Sequence, residues 1–249
     1  IFGRKTLVNI SDLWPLSAVE LGAMREGGKI YDIFAWIERY IYRNADGIFG
    51  QSEEIIRHVN QFPSTKNKFV YRNLQQYAVA AQPKRKHTPF RIVYAGLLGV
   101  AQDIYSIIEN IPFQSIGAEF HLYGGGNQTD KIKEYINKHP GCFVYYHGYV
   151  KKKQIAEELS RYDASIVPLT VAIKGAVPSK IYDLIPIGIP ILFCGGGEGA
   201  EIVSKYYFGM VSKPHDFKQL HNNIIELINL PDEEYSTISK NCLDMAKNE

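Results

Sequence analysis

From residue 90 onward the chain alternates short apolar runs with longer amphipathic stretches, and this alternation constrains its fold more than any other feature. The runs at 91–95, 119–123, 142–147, 164–168, 190–194 and 209–211 read as strands. The stretches at 102–111, 129–139, 153–161, 178–187, 198–205 and 217–230 read as helices. Strands alternating with helices at this spacing form a parallel sheet with helices on both faces. A shorter series precedes it, with strands at 6–10, 47–50 and 68–71 and helices at 30–44 and 52–58. Ser52 caps the second of these helices. In the first, Ile30, Ile33, Phe34, Ile37, Tyr40 and Ile41 share one face, which predicts a core-facing helix. Residues 75–89, with Lys84-Arg85-Lys86-His87 at their centre, lack periodicity and predict a solvated linker. The expected fold is therefore α/β, two Rossmann-like lobes with parallel sheets, divided into residues 1–83 and 84–249. The chain does not begin with methionine and its first element starts at once, so the N-terminal lobe is expected to be incomplete.

Composition narrows the function. The net charge of +2, from 28 basic and 26 acidic residues in 249, marks neither a nucleic-acid nor a membrane surface as the main partner. Cys142, Cys194 and Cys242 are odd in number and widely spaced, with no C-x-x-C, which predicts a reducing, cytoplasmic setting. No window is long and apolar enough for a spanning helix. No G-x-x-x-x-G-K-[ST], no G-x-S-x-G and no H-x-x-x-H is present, and no Asp-x-Asp pair could hold a metal on a diphosphate. Metal-independent chemistry is expected, with no cofactor. Residues 195–200, Gly-Gly-Gly-Glu-Gly-Ala, satisfy G-x-G-x-x-A. They come too late in the chain for a dinucleotide domain, and a glycine-rich turn is the expected reading.

Residues 177–194 carry the clearest chemistry. Pro178 sits where a helix would begin, followed by Ser179 and Lys180, with Asp183 one turn further in. Free helix amides beside a lysine suit a phosphate. In open parallel sheets ligands sit at the carboxyl ends of the strands, so the loops after residues 95, 123, 147, 168 and 194 should line one cleft.

Several segments, in order, resemble a known family. Asp12-Leu13-Trp14-Pro15-Leu16-Ser17, the stretch 38–47, Tyr94-Ala95-Gly96-Leu97-Leu98-Gly99 and the segments 144–150, 162–168 and 177–190 are similar to those of retaining glycosyltransferases of the GT-B fold, family 4. The resemblance is to bacterial enzymes that build O-antigen lipopolysaccharide and capsular polysaccharide from nucleotide-activated amino or deoxy sugars. It implies a hexosyl or N-acetylhexosaminyl transferase with a nucleotide-sugar donor, a UDP-sugar, and a saccharide or polyprenyl-diphosphate-linked acceptor. It also implies peripheral contact with the inner face of the plasma membrane.

The resemblance assigns roles by position. Gly96 and Gly99 would let backbone approach the sugar diphosphate, with Gln102 on the same loop. Ser179 and Lys180 would hold the diphosphate, and Lys180 would neutralise charge on the leaving group. Asp183 would accept from the ribose hydroxyls, Tyr149 and its neighbours would meet the base, and Asp12 would act on the acceptor side. Some positions depart from the family. Its Glu-x7-Glu pair is Gly175 and Asp183 here. Its Arg and Lys in the first donor loop are Leu97 and Gln102, leaving Lys180 and Lys174 to compensate, and its acceptor-loop histidine is Ser11. The alternatives are a non-hydrolysing GT-B nucleotide-sugar epimerase, or a donor-binding fragment inactive alone.

Overall fold

The computed structural model describes residues 4–62, 67–72, 74 and 83–248. The chain divides into two compact units, Ile1–Asn73 with Val171–Val177, and Leu74–Thr170 with Pro178–Glu249. The division thus falls before the 83/84 boundary expected from sequence, and a short segment of the later half packs with the first unit. Backbone hydrogen bonds tie that segment down. Lys174 N donates to Glu20 Oε2 at 2.8 Å and Gly175 N to Glu54 Oε2 at 2.7 Å.

The first unit holds a three-stranded parallel sheet of β1 (Leu7–Ile10), β2 (Gly47–Gly50) and β3 (Lys68–Val70), in that order. Its helices are α1 (Leu16–Glu20), α2 (Lys29–Asn44) and α3 (Glu53–Val59). Ser52 caps α3, its side chain accepting from Ile55 N at 3.1 Å. Glu53 and Glu54 in the first turn and Arg57 and His58 in the last complement the helix dipole. The core gathers Ile10, Leu13, Tyr42, Ile48, Ile55 and Val59. The expected core face of α2 is corrected here. Ile30, Ile33, Trp36 and Tyr40 are exposed. The helix instead meets its unit through Phe34 against Trp14, Glu38 bonded to His58 at 2.8 Å, and Tyr42 against Phe62. An apolar stripe identifies one side of a helix, but not whether that side has a partner.

The second unit is built on six parallel strands: β4 (Phe90–Leu97), β5 (Ala118–Gly125), β6 (Val144–Gly148), β7 (Ala164–Pro168), β8 (Ile191–Cys194) and β9 (Gly209–Ser212). Their order is β6-β5-β4-β7-β8-β9. The direction of winding reverses between β4 and β7, the place where such sheets open a crevice at their carboxyl ends. The helices are α4 (Ile104–Asn110), α5 (Thr129–Lys138), α6 (Ile155–Leu159), α7 (Ser179–Leu184), α8 (Gly197–Lys205), α9 (Phe217–Asn229) and α10 (Asp232–Asn248). The strands read as near-continuous apolar runs because both faces of the sheet are covered. Phe90, Ile92, Tyr94, Phe120, Leu122 and Ile166 are buried among α4 and α9 residues.

The sequence reading left out α10, although its buried positions Tyr235, Ile238, Cys242 and Leu243 fall at helical spacing. Tertiary contacts hold it in place. Ser239 Oγ donates to Gly188 O at 2.7 Å, and Leu243 lies 3.0 Å from where a Cβ on Gly188 would sit.

The basic run at 84–87 is not a solvated linker. Lys84 N donates to Ser239 Oγ at 2.8 Å, its Nζ to Ser160 O, and Lys86 Nζ to Ile228 O at 3.1 Å. Two of these cations thus meet backbone carbonyls at the ends of α6 and α9, where helices leave acceptors unsatisfied. Burial lowers the Lys84 ammonium to about 8, with Asp163 opposing. Fully buried Asp163 accepts from His87 Nδ1 at 2.7 Å, His87 N at 3.1 Å and Arg91 N at 2.6 Å, which satisfies its charge. The rest of the expected linker, 75–82, lies outside the described residues.

Candidate functional site

At the carboxyl ends of β4 and β5 two backbones run in contact. Gly124 has φ +119, and a Cβ there would collide with Gly96 O and lie 2.9 Å from Gly96 C. A Cβ on Gly126 would meet Leu98 O. Leu98 N donates to Gly125 O at 3.0 Å, and Gln128 N donates to Leu98 O at 3.0 Å. Tyr146 OH closes the junction by donating to Gly124 O at 2.8 Å. The glycine run at the end of β5 is therefore needed for packing, and it makes a floor of main chain.

Lys180 reaches this floor. Its Nζ lies 5.7 Å from the ring centroid of buried Tyr94, whose hydroxyl donates to Leu97 O at 2.6 Å. A Cβ on Gly96 would lie 2.6 Å from Lys180 Cε, so a side chain there would push the ammonium away from this strand end. Burial lowers the Lys180 pKa, with Asp183 opposing. Burial also raises the Asp183 pKa, with Lys180 and Lys152 opposing. The ring face and the aspartate favour the cation, and partial desolvation strengthens its pull on an anion.

Pro178 is the residue before α7, not its first residue. Ser179 opens the helix and is exposed, and no side chain caps the end. Gly99 is buried, with Gln102 Oε1 3.2 Å from where its Cβ would lie. That oxygen is buried without a hydrogen-bond partner among the described residues, and Gln102 lines a small pocket with Asp103, Thr170, Cys194 and His215. Tyr149 is 82% exposed, and its hydroxyl occupies the place a Cβ on Gly125 would take. The second unit thus brings Gly96, Lys180 and Asp183 together, sets Gly99 beside Gln102, and lays Tyr149 over the β5 glycines. Asp12 belongs to the first unit, exposed on the loop after β1, where its carbonyl accepts from Trp14 N at 3.1 Å.

Tyr94 was not legible as part of this group, because a strand tyrosine carries no signal of what lies over its ring. The G-x-G-x-x-A run has a packing explanation. Cβ atoms on Gly195 and Gly199 would each come within 2.9 Å of the Phe193 ring, so both glycines admit that side chain.

On β5 and β6, His121 Nδ1 and His147 Nε2 share a hydrogen bond of 2.9 Å. Burial holds both below the ordinary imidazole value of 6.5, with Glu119 opposing for His121 and Glu158 for His147. The unfolded chain takes up these protons near 6.5 and the folded chain only at lower pH. Stability is therefore present above that value and falls as pH falls through it. Urea midpoints should drop between about pH 7.5 and about pH 5.5, and by less in a His121→Gln variant. Equal slopes in both proteins would rule out this contribution.

No curated protein matches the chain. Among solved structures, a TarM variant from S. aureus, in complex with fondaparinux, α-GlcNAc-glycerol and UDP, is similar at 19% identity and TM-score 0.65. It covers 90% of this chain and 45% of that one. HepE from Anabaena, in complex with UDP and glucose, is similar at 15% identity and TM-score 0.71, covering 98% and 67%. Sucrose-phosphate synthase from Thermosynechococcus elongatus is similar at 16% identity and TM-score 0.69, covering 97% and 63%. The chain thus spans about half the length of TarM and about two thirds of the other two. At these identities the likeness is one of fold, an α/β architecture of the GT-B type with parallel sheets. Residues 78–244 match the family model of glycosyl transferases group 1, which covers most of the second unit, and the chain accordingly belongs to that family.

Proposed function

We propose that the second unit binds the nucleotide-sugar donor of a retaining, metal-independent glycosyltransferase of family 4, and that the first unit contributes to the acceptor side. The observation that carries this reading is the Lys180 ammonium, set over Tyr94 and against Gly96 at the end of β4. There it would meet the donor diphosphate together with the backbone at Gly96 and Gly99, and it would stabilise charge growing on the leaving group. Ser179 would add a hydroxyl to the same phosphates, and Gln102 would offer its unpaired oxygen to a sugar hydroxyl. Asp183 would accept from the ribose, and Tyr149 would lie against the base. The acceptor hydroxyl would attack from the face the diphosphate leaves, giving its proton to a diphosphate oxygen, and Asp12 of the first unit is proposed as a catalytic residue. No protein nucleophile is required.

Gly175 supports that last point. Its φ is +80, and a Cβ there would lie 2.9 Å from Ile55 Cγ1 and 3.2 Å from Leu13. Position 175 therefore has no room for the carboxylate that the family pattern carries there. UDP is the proposed nucleotide because TarM and HepE were both solved with it. The transferred group is proposed to be a hexosyl or N-acetylhexosaminyl unit. It would pass to a saccharide or polyprenyl-diphosphate-linked acceptor of O-antigen or capsule assembly, at the inner face of the plasma membrane. Calorimetric titration with UDP, GDP and ADP tests the donor reading. UDP should bind most tightly without added metal, and absence of binding by all three would overturn it.

A further inference from the structure

At the end of β6 one residue is extra. Leu122 pairs with Tyr146 and Tyr123 with Gly148, so His147 is left out of the ladder as a β-bulge. Bulges re-aim the chain where pairing ends. Here the chain leaves through Gly148, at φ +74, into Tyr149 and the loop proposed to meet the base. The bulged imidazole is held from two sides. Its Nε2 lies 2.9 Å from His121 Nδ1, and its face stacks on the Tyr123 ring, centroids 4.7 Å apart. The Tyr123 hydroxyl in turn donates to Glu158 Oε1 at 2.6 Å. The two imidazoles are 6° from parallel with centroids 5.2 Å apart. That is the N-to-N distance plus one ring radius on each side, so the rings lie edge to edge and the nitrogens meet head-on. A metal ion on that axis would need about 4 Å between them, so the contact is a hydrogen bond.

The direction of that bond follows from Glu119. Its carboxylate lies 3.3 Å from His121 Nε2 and can only accept, so the His121 proton sits on Nε2 and Nδ1 offers a lone pair. His147 Nε2–H therefore donates. A proton added to His121 Nδ1 would set N–H against N–H and break the bond. We propose that His121 and His147 are positioning residues for the nucleotide: their hydrogen bond holds the bulge, sets Tyr149 for the base, and is released as pH falls. Closing the bulge would shift every residue after His147 by one place against β5 and turn its side chain over. The groups around the pair set the sign. The Tyr145 and Tyr162 rings lie against His121, at 4.9 and 5.0 Å. Glu119 favours a charged His121, while His147 and Arg91, on β4, disfavour it. Glu158, paired with Arg161 at 3.0 Å, favours a charged His147. Burial outweighs both carboxylates, and each imidazole takes its proton below 6.5. The bond is therefore intact near neutrality and lost in acid. The role of Tyr149 rests on the donor reading above, while the hold on the bulge does not.

Two variants separate the bond from the ring. His147→Phe keeps the stack on Tyr123 and removes the donor. His147→Gln supplies an amide donor that does not titrate and that can turn its oxygen to a protonated His121. In calorimetry at about pH 7.5, His147→Phe should bind UDP roughly three- to tenfold more weakly than the parent, the loss of one neutral hydrogen bond. His147→Gln should recover most of that loss. At about pH 5 the parent should have lost affinity relative to His147→Gln, a ratio from which the ionisation of UDP and of Asp183 cancels. Hydrogen exchange of residues 145–151, without nucleotide and at one pH, should be faster in His147→Phe than in the other two proteins. Equal UDP affinities in all three, a His147→Gln variant as weak as His147→Phe, or a ratio unmoved by pH would overturn the inference. If the parent binds no UDP, the donor reading fails and hydrogen exchange decides the rest. Equal exchange in the parent and His147→Phe would then overturn the hold on the bulge.

Discussion

Replacing Lys180 by alanine is expected to weaken UDP binding by about 1.5–3 kcal/mol, the usual worth of hydrogen bonds to a charged group, or roughly ten- to a hundredfold. Stability should not fall with it. Among the described residues no hydrogen bond or ion pair holds the Lys180 ammonium, and its burial opposes the charged form. Removing a partly desolvated cation costs the empty fold little, so a melting temperature at or above the parent's should accompany the lost affinity. Lys180→Arg should restore binding only in part, because a planar guanidinium does not reproduce the compact ammonium set over the Tyr94 ring. Calorimetry with UDP, paired with thermal melts of the three proteins, separates these effects. Unchanged affinity in Lys180→Ala would reduce the ammonium to a surface cation over a tyrosine ring.

The parts of this fold that were legible in the sequence are those that local physics determines. Strands buried on both faces are written as unbroken apolar runs, as at 164–168, where the expected and observed β7 coincide. The Ser52 cap was legible because a side chain satisfies an amide three residues away. What depended on distant partners was not legible. The anchoring of residues 84–87 needs Ser239, Ser160 and Asp163, which are remote in sequence, so a basic run without periodicity read as solvent-exposed. The same holds for α2, whose pattern was read correctly as a helix but whose stripe is exposed among the described residues. At the candidate site Pro-Ser-Lys was legible as the start of a helix carrying a lysine in its first turn. The reason Lys180 points to one place lies in Tyr94 and Gly96, on a strand far earlier in the chain. The family pattern raised the question of the absent carboxylate at position 175. Its answer is steric, in Leu13 and Ile55, and no spacing rule contains it.

The largest loss of stability is expected from Gly124→Ala, at about 3–5 kcal/mol, because strain and overpacking act together there. The backbone at φ +119 is one that a side chain rarely adopts. The added Cβ would also be driven into the Gly96 carbonyl, and backbone cannot rotate away as a flexible side chain would. Relief would have to come from parting β4 and β5 where Leu98 N meets Gly125 O, which would also move the floor under Lys180. UDP affinity should therefore fall along with the urea midpoint. Gly117→Ala is the control. Its φ is +69 with nothing within 4 Å of the new Cβ, so it carries the strain without the collision and should cost about 1–2 kcal/mol, with UDP affinity unchanged. Equal losses in the two variants would mean that β4 and β5 do not approach as closely as Gly124 requires. The floor would then not depend on glycine, and the site would lose the feature that brings main chain within reach of a diphosphate.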